Sequence, residues 1–381
     1  MSKKDFFAAD FPALAPSRYA SVAGVTFLCV MLAGLWQIVA AAWNPGQLDF
    51  PRTWIDFREG RTTGMLEKQL DQKLPARTTL IAIANSLRYL LTGSGGDQVR
   101  VGNGGWLFLT DELRFDTDGN AYLNARANLF GGASQGLDRQ GVKLVIALVP
   151  DKARLYSGRL ISGHYPEYNR SRYEDALAAM RKQNVTVVDL LTPLTAAASQ
   201  GQVYYSSDTH WNQLGAQISA DAVALGVRKL GVALEKTTFV TAATGQKTER
   251  PGDLIRLMGL GDTPSALRPP SDTEILMLTK QTSVEASSGL FGDAAVPVAL
   301  TGTSYSLRGN FHGFLQQALS AKVLNTAKDG GGLLQATTAY LKDDAFKSAK
   351  PKVLVWEVPE RFLYTKLDDE PKWLKSVGFL P

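Results

Sequence analysis

Between Tyr19 and Trp43 the chain reads YASVAGVTFLCVMLAGLWQIVAAAW, without one charged side chain. At about 1.5 Å of rise per residue, a helix over this stretch crosses the roughly 30 Å hydrocarbon core of a bilayer. Tyr19, Trp36 and Trp43 stand toward its ends, where amphipathic aromatics favour the interface. A single transmembrane helix over 19–43 is therefore expected. Lys3, Lys4 and Arg18 precede it, with Arg18 abutting the span, whereas Arg52, Arg58 and Arg61 follow at a greater distance. That asymmetry predicts a cytoplasmic tail, 1–18, and a main body on the other side of the membrane. Ala40 and Ala42 give the A-x-A pattern of a cleavable signal. The apolar run is longer than the usual signal core, and the tail carries Asp5 and Asp10. An uncleaved anchor is the better expectation.

The rest of the 381 residues has room for one large domain with a sizeable core. The chain is 45% hydrophobic and 20% charged, which excludes a disordered or multi-span protein. The net charge is +5, but the basic residues are scattered and no basic run occurs, so no nucleic-acid partner is expected. Cys29 is the one cysteine and lies in the apolar span, which excludes an intramolecular disulfide and a cysteine-based metal site.

Residues 44–53 form a polar, Pro-containing link. Helical periodicity follows over 54–92, with Leu66, Leu70 and Leu74 four apart and a break at Pro75. The TGSGGD segment, 92–97, signals a loop. A helical neck over 44–97 is thus expected ahead of a domain covering 98–381. In that domain short apolar runs alternate with helical patterns. Strands are expected at Val142–Val149, Val185–Leu191, Val296–Leu300 and Val353–Val358. Ser171-Arg172-Tyr173-Glu174 reads as a capping box opening a helix, Asn212 as the cap of another ending near Gly231, and Phe311–Ala321 as a third. This alternation argues an α/β domain with a mostly parallel sheet flanked by helices. The stretch 232–290 is rich in Thr, Ser and Pro and reads as an irregular insertion.

Only three histidines are present, His164, His210 and His312, which narrows the choice of a general base. His210 lies in Tyr204-Tyr205-Ser206-Ser207-Asp208-Thr209-His210-Trp211-Asn212, on a loop at the head of a helix. Asp208, two residues away, is close enough in sequence to orient the imidazole. The bland alternative is a helix-capping Asp beside an incidental His. Ser304 is the candidate nucleophile, because it follows the strand ending at Leu300 and the turn at Gly302. A strand ending in such a turn presents the next side chain at the carboxyl edge of the sheet, where α/β folds bind ligands. Main-chain N–H groups there can hold an oxyanion. The segment is not a G-x-S-x-G elbow. No dinucleotide fingerprint or Walker loop is present, and no ligand spacing supports a metal site on Asp208, His210 and His312, so neither cofactor nor metal is expected.

Five segments then occur in order: Gly105-Trp106-Leu107-Phe108-Leu109, Val149-Pro150-Asp151-Lys152, Asp208-Thr209-His210-Trp211, Gly302-Thr303-Ser304-Tyr305-Ser306 and Trp356-Glu357-Val358-Pro359-Glu360-Arg361. Together they resemble the AlgJ/AlgX family of alginate and related exopolysaccharide O-acetyltransferases, over roughly 60–365. The resemblance implies an SGNH-hydrolase-like domain in which Asp-x-His precedes the Ser. It implies Ser304 as nucleophile, His210 as base and Asp208 as its orienter. With an anchor and no added carbohydrate-binding module, the chain looks more like the AlgJ branch. It departs from many relatives at Ser206-Ser207, where a basic residue is expected.

The resemblance further implies a bacterial inner-membrane protein with its catalytic domain in the periplasm. Acetyl would come from an integral-membrane O-acyltransferase partner and pass to a polysaccharide or acetyl-carrier acceptor. Two other readings fit the same residues: an acetylesterase, with water as acceptor, and a non-catalytic scaffold of an export complex. Alginate, acetylated cellulose and other exopolysaccharides all stay open as the polymer.

Overall fold

The computed structural model describes residues 53–73, 75–283, 296–366 and 370–380, with scattered helical positions between Val25 and Ala40. The span expected over 19–43 lies largely outside the described residues, and among the described residues no helix is long and apolar enough to cross a membrane. The chain divides into two units, 1–83 and 84–381.

In the first unit the helical pattern of the neck becomes the helices Trp54–Arg58 and Arg61–Lys73 and the start of a third, Pro75–Thr92. Thr53 caps the first, its hydroxyl accepting the Asp56 N–H. Pro75 opens the third helix, where its missing N–H costs nothing.

The second unit is built on five parallel strands in the order β4-β3-β9-β7-β8. They are β3 (Lys143–Val149), β4 (Thr186–Asp189), β7 (Val298–Thr301), β8 (Val323–Asn325) and β9 (Val353–Pro359). Side-chain alternation divides the core into two. Leu144, Ile146, Leu148, Ala299, Leu354, Trp356 and Val358 pack beneath the helices Gly119–Asp138, Arg172–Lys182, Gln335–Lys342 and Glu370–Ser376. Val145, Ala147, Val149, Val298, Leu300, Val353 and Val355 pack under Leu191–Ala198, Gln213–Arg228 and Phe311–Leu319. Both faces are covered, which is why the central strands read as unbroken apolar runs. Pro297 stands just outside β7, so the strand keeps its ladder.

Two expectations need correction. Ser171 precedes its helix with helical dihedrals, and its side chain makes no capping bond. The Ser-x-x-Glu spacing is present, but a cap needs an extended residue to turn its hydroxyl onto the N3 amide. The stretch 232–290 is not irregular throughout. It contains a long antiparallel ribbon, β5 (Thr238–Arg250) against β6 (Asp272–Ser283), with a bulge between Ala243 and Lys247. Val240, Ile275 and Leu278 are exposed on it. Much of its surface meets water, so it lacks the apolar alternation that marks a half-buried strand. A smaller hairpin, β1 (Val99–Val101) with β2 (Leu107–Leu109), precedes the sheet.

Candidate active site

The Asp-His loop is folded back on itself. Tyr204 bridges to Trp211, the Tyr205 N–H donates to the His210 carbonyl and the Asn212 N–H to that of Val203. Asn212 then caps the helix Gln213–Arg228, its Oδ1 accepting the Gly215 N–H at 3.0 Å. This is the cap read from the sequence. At the tip, Asp208 Oδ1 accepts both the His210 main-chain N–H at 3.0 Å and the Nδ1–H at 2.5 Å. An ionised carboxylate only accepts, so the proton sits on Nδ1 and Nε2 is left as an acceptor. Nε2 lies 2.7 Å from Ser304 Oγ. Asp208 and His210 are buried, whereas Ser304 is half-buried. Burial opposes ionisation of Asp208, but the hydrogen bonds and charge of His210, with the Asp253 N–H, outweigh it and hold the carboxyl well below its usual range. The three residues named from the sequence are thus one hydrogen-bonded chain. His164 bonds within its own exposed turn, and His312 Nε2 meets the Val323 carbonyl at 2.7 Å; neither joins His210.

The serine turn is held from below by Glu357 on β9. Its carboxylate accepts the Thr303 N–H at 2.7 Å, the Thr303 hydroxyl at 3.0 Å and the Ser306 hydroxyl at 3.1 Å. Gly302 has φ +147°, and a Cβ there would stand 2.7 Å from both the carbonyl and Oε2 of Glu357. The glycine therefore gives the turn its close approach to Glu357, a reason additional to the sharp turn read from the sequence. The Thr303 and Tyr305 N–H groups are taken by Glu357 and by the Thr303 hydroxyl. Among the described residues the Ser304 N–H has no protein partner, so it can donate to an anionic oxygen placed beside the serine.

Loop and turn are also joined directly. The buried Tyr305 hydroxyl donates to the Thr209 carbonyl at 2.7 Å, and its ring lies 4.7 Å from the His210 ring and 5.0 Å from Trp211. Asp253 accepts the Thr209 N–H and hydroxyl, and its own N–H donates to Asp208 Oδ2. Asp272, at the start of β6, accepts the N–H and hydroxyl of both Ser206 and Ser207 at 2.6–2.9 Å. The serines that depart from the expected basic position are therefore anchors of the loop. Asp208, His210 and Asp253 place ligand-type atoms within 4.8 Å of one another, but those atoms already bond to each other or to Thr209.

A buried charged layer lies alongside. The Asp151 N–H donates to Glu360 and the Arg361 N–H to Asp151, so the Val-Pro-Asp-Lys and Trp-Glu-Val-Pro-Glu-Arg segments clasp each other. Arg154 pairs with Glu360, and the Arg361 guanidinium stands over the Tyr305 ring. Burial pushes Glu112 up to about 7 against the pull of Arg361, and pushes Asp151 well above its usual range. Sequence patterning did not single out Glu357, Asp253 or Asp272. The signal for Glu357 was a charge set in an apolar strand run, Trp356-Glu357.

The family profile described as "SGNH hydrolase-like domain, acetyltransferase AlgX" matches residues 99–360. The chain belongs to this family. The protein named "Probable alginate O-acetylase AlgJ" of Pseudomonas putida is 34% identical over 346 residues, 88% of this chain and 90% of that one. Its namesake in Pseudomonas aeruginosa is 33% identical over 360 residues, 91% and 90% of the two chains. The solved O-acetyltransferase domain of Pseudomonas putida AlgJ is 35% identical and superposes with a TM-score of 0.65, covering 73% of this chain and 98% of that one. An AlgX-family SGNH-like fold carries the site, and the enzyme class is O-acetyltransferase. All five segments on which the family resemblance rests meet at this one site.

Proposed function

We propose that this chain transfers acetyl groups to an exopolysaccharide through an acetyl-Ser304 intermediate, as a single-pass protein of the bacterial inner membrane with its catalytic domain in the periplasm. The observation that carries the reading is the 2.7 Å contact of His210 Nε2 with Ser304 Oγ while Asp208 occupies Nδ1. His210 takes the Ser304 proton as Oγ bonds to the acetyl carbon. The tetrahedral oxyanion receives the Ser304 N–H and collapses, and the donor's leaving group departs with the proton from His210. A sugar hydroxyl then gives its proton to His210 and attacks the acetyl-serine. Ser304 leaves and recovers the proton. The membrane anchor and a periplasmic domain fit acetyl delivery by an integral-membrane O-acyltransferase partner. The names of the AlgJ relatives support an alginate-like acceptor.

The test uses the full-length chain in detergent with 4-nitrophenyl acetate, with and without an acetyl-free oligosaccharide. An acetyl adduct on Ser304 by peptide mass, absent in Ser304→Ala, and acetyl gained by the oligosaccharide are expected. An adduct that passes only to water makes the chain an esterase. Wild-type chain with neither adduct nor ester turnover overturns the proposal.

A further inference from the structure

Lys152 is completely buried, and the reaction just described does not use it. Among the described residues no carboxylate lies within ion-pair distance of its ammonium. Its three N–H donors go instead to three main-chain carbonyls: Leu107 at 2.6 Å, Ser206 at 2.9 Å and Asp208 at 2.9 Å. The Trp106 and Phe108 rings lie 5.2 and 5.3 Å from it. A buried ammonium spent on carbonyls is a poor device for stability alone, since an apolar side chain would fill the space without desolvating a charge. What the ammonium does supply is geometry. One carbonyl belongs to β2, and the other two belong to the loop that ends in Asp208 and His210.

We propose that Lys152 is a positioning residue for the transfer reaction: by tying the Ser206 and Asp208 carbonyls to β2, its ammonium sets the loop where His210 reaches Ser304. The inference rests on the reading of His210 as the base for Ser304. The lever is short. The Asp208 carbonyl is held by Lys152, the Asp208 carboxylate holds the His210 ring, and that ring holds the Ser304 hydroxyl. A displacement of about 1 Å in such a chain costs on the order of 100-fold in rate.

The device depends on the third proton. A neutral amine has two donors for three buried acceptors, so deprotonation releases one carbonyl and loosens the loop. The charges facing the ammonium are Glu112 after β2, Asp208 on the loop, Asp253 and Asp272, all of which favour the protonated form. Burial outweighs them and lowers the Lys152 pKa to about 8. Activity therefore falls as pH rises through that region.

The experiment follows ester turnover by the full-length chain from about pH 6 to about pH 10, with Ser304→Ala as blank, on wild type, Lys152→Arg, Lys152→Met and Glu112→Gln. Wild type is expected to lose rate through about pH 8. Lys152→Arg, whose guanidinium stays charged, moves the alkaline limb to higher pH. Glu112→Gln leaves Lys152 in place and removes a carboxylate that favours its ammonium, so the limb moves to lower pH. Lys152→Met loses about 100-fold in kcat with KM little changed. A wild-type rate that is flat to pH 10 overturns the proposal. So does a limb that neither Glu112→Gln nor a folded Lys152→Arg displaces, and the Glu112 variant decides the matter alone if the lysine variants do not fold. If Ser304→Ala keeps wild-type turnover, the reading of the site has failed rather than the role of Lys152.

Discussion

His210 Nε2 stands 2.7 Å from Ser304 Oγ across 94 positions of sequence, and the hydroxyl is the only side-chain group of that turn that faces the imidazole within hydrogen-bond distance among the described residues. Ser304 is half-buried and not part of either hydrophobic core, so its hydroxyl can be removed without opening the core. Ser304→Ala is expected to reduce acetyl transfer by roughly 10³-fold or more. Its thermal unfolding midpoint should stay within about 2 °C of wild type. An active Ser304→Ala, measured by acetyl release from an activated ester, would remove Ser304 from the mechanism.

Asp208→Asn tests the other nitrogen of the ring. The carboxylate fixes the proton on Nδ1, whereas an amide can donate to that nitrogen and so favour the tautomer with Nε2 protonated, which cannot accept from Ser304. A loss of roughly 10⁴-fold in kcat is expected. The same substitution changes acid stability. The native carboxyl ionises well below the ordinary value of 3.8, so its contribution is present above that value and is lost as pH falls through the native one. Urea unfolding between about pH 5 and about pH 2 should show a shallower acid loss in Asp208→Asn than in wild type.

Glu357 acts on the serine turn from beneath. Glu357→Ala strands the Thr303 N–H and two hydroxyls, each unsatisfied buried group costing about 1–3 kcal/mol, so a loss of a few kcal/mol is expected with a fall in kcat. Glu357→Gln separates charge from shape. Burial raises the carboxyl above its usual 4.5, held back by the Thr303 and Ser306 donors. The unfolded chain therefore releases this proton first as pH rises, and stability falls until the native carboxyl has ionised. Wild type should lose stability relative to Glu357→Gln as pH rises from about 4.5, read by thermal unfolding. A constant difference above that pH would mean that Glu357 does not change protonation there.

The parts of this molecule legible in the sequence are those where burial writes a pattern. Val142–Val149 and Val353–Val358 announced themselves because β3 and β9 are covered on both faces, and Asn212 because its cap is a local bond. Asp208, His210 and Ser304, which hydrogen bonds bring together, could be singled out because histidine is scarce and because strand ends in an α/β sheet gather chemistry. The anchors of the site left no such mark. Asp253 and Asp272 reach it from segments 45 and 64 positions away from Asp208, and a single carboxylate has no periodicity, whereas Glu357 showed only as a charge within the apolar run of β9. Ser171 shows the opposite failure, a local pattern whose backbone does not take the conformation the cap requires.

The ribbon that sequence patterning missed supplies the last prediction. Asp272 binds four donors of Ser206 and Ser207, and Glu274, two residues on along β6, accepts the Tyr205 hydroxyl at 2.6 Å and pairs with Arg250 of β5. The ribbon thus holds the Asp-His loop through bonds separate from those Lys152 makes to its carbonyls. Asp272→Ala frees two main-chain N–H groups and two hydroxyls that are part-buried, so water can recover some of them and the stability cost should stay near 1–3 kcal/mol. Activity should suffer more than stability does, because the freed segment ends at Asp208. A tenfold or greater fall in kcat with a small change in unfolding midpoint is the expected result. Asp272→Asn should fall between the two, because its amide keeps one oxygen acceptor and presents two donors to groups that also donate. If Asp272→Ala unfolds as wild type does and turns over at the wild-type rate, the ribbon has no hold on the Asp-His loop.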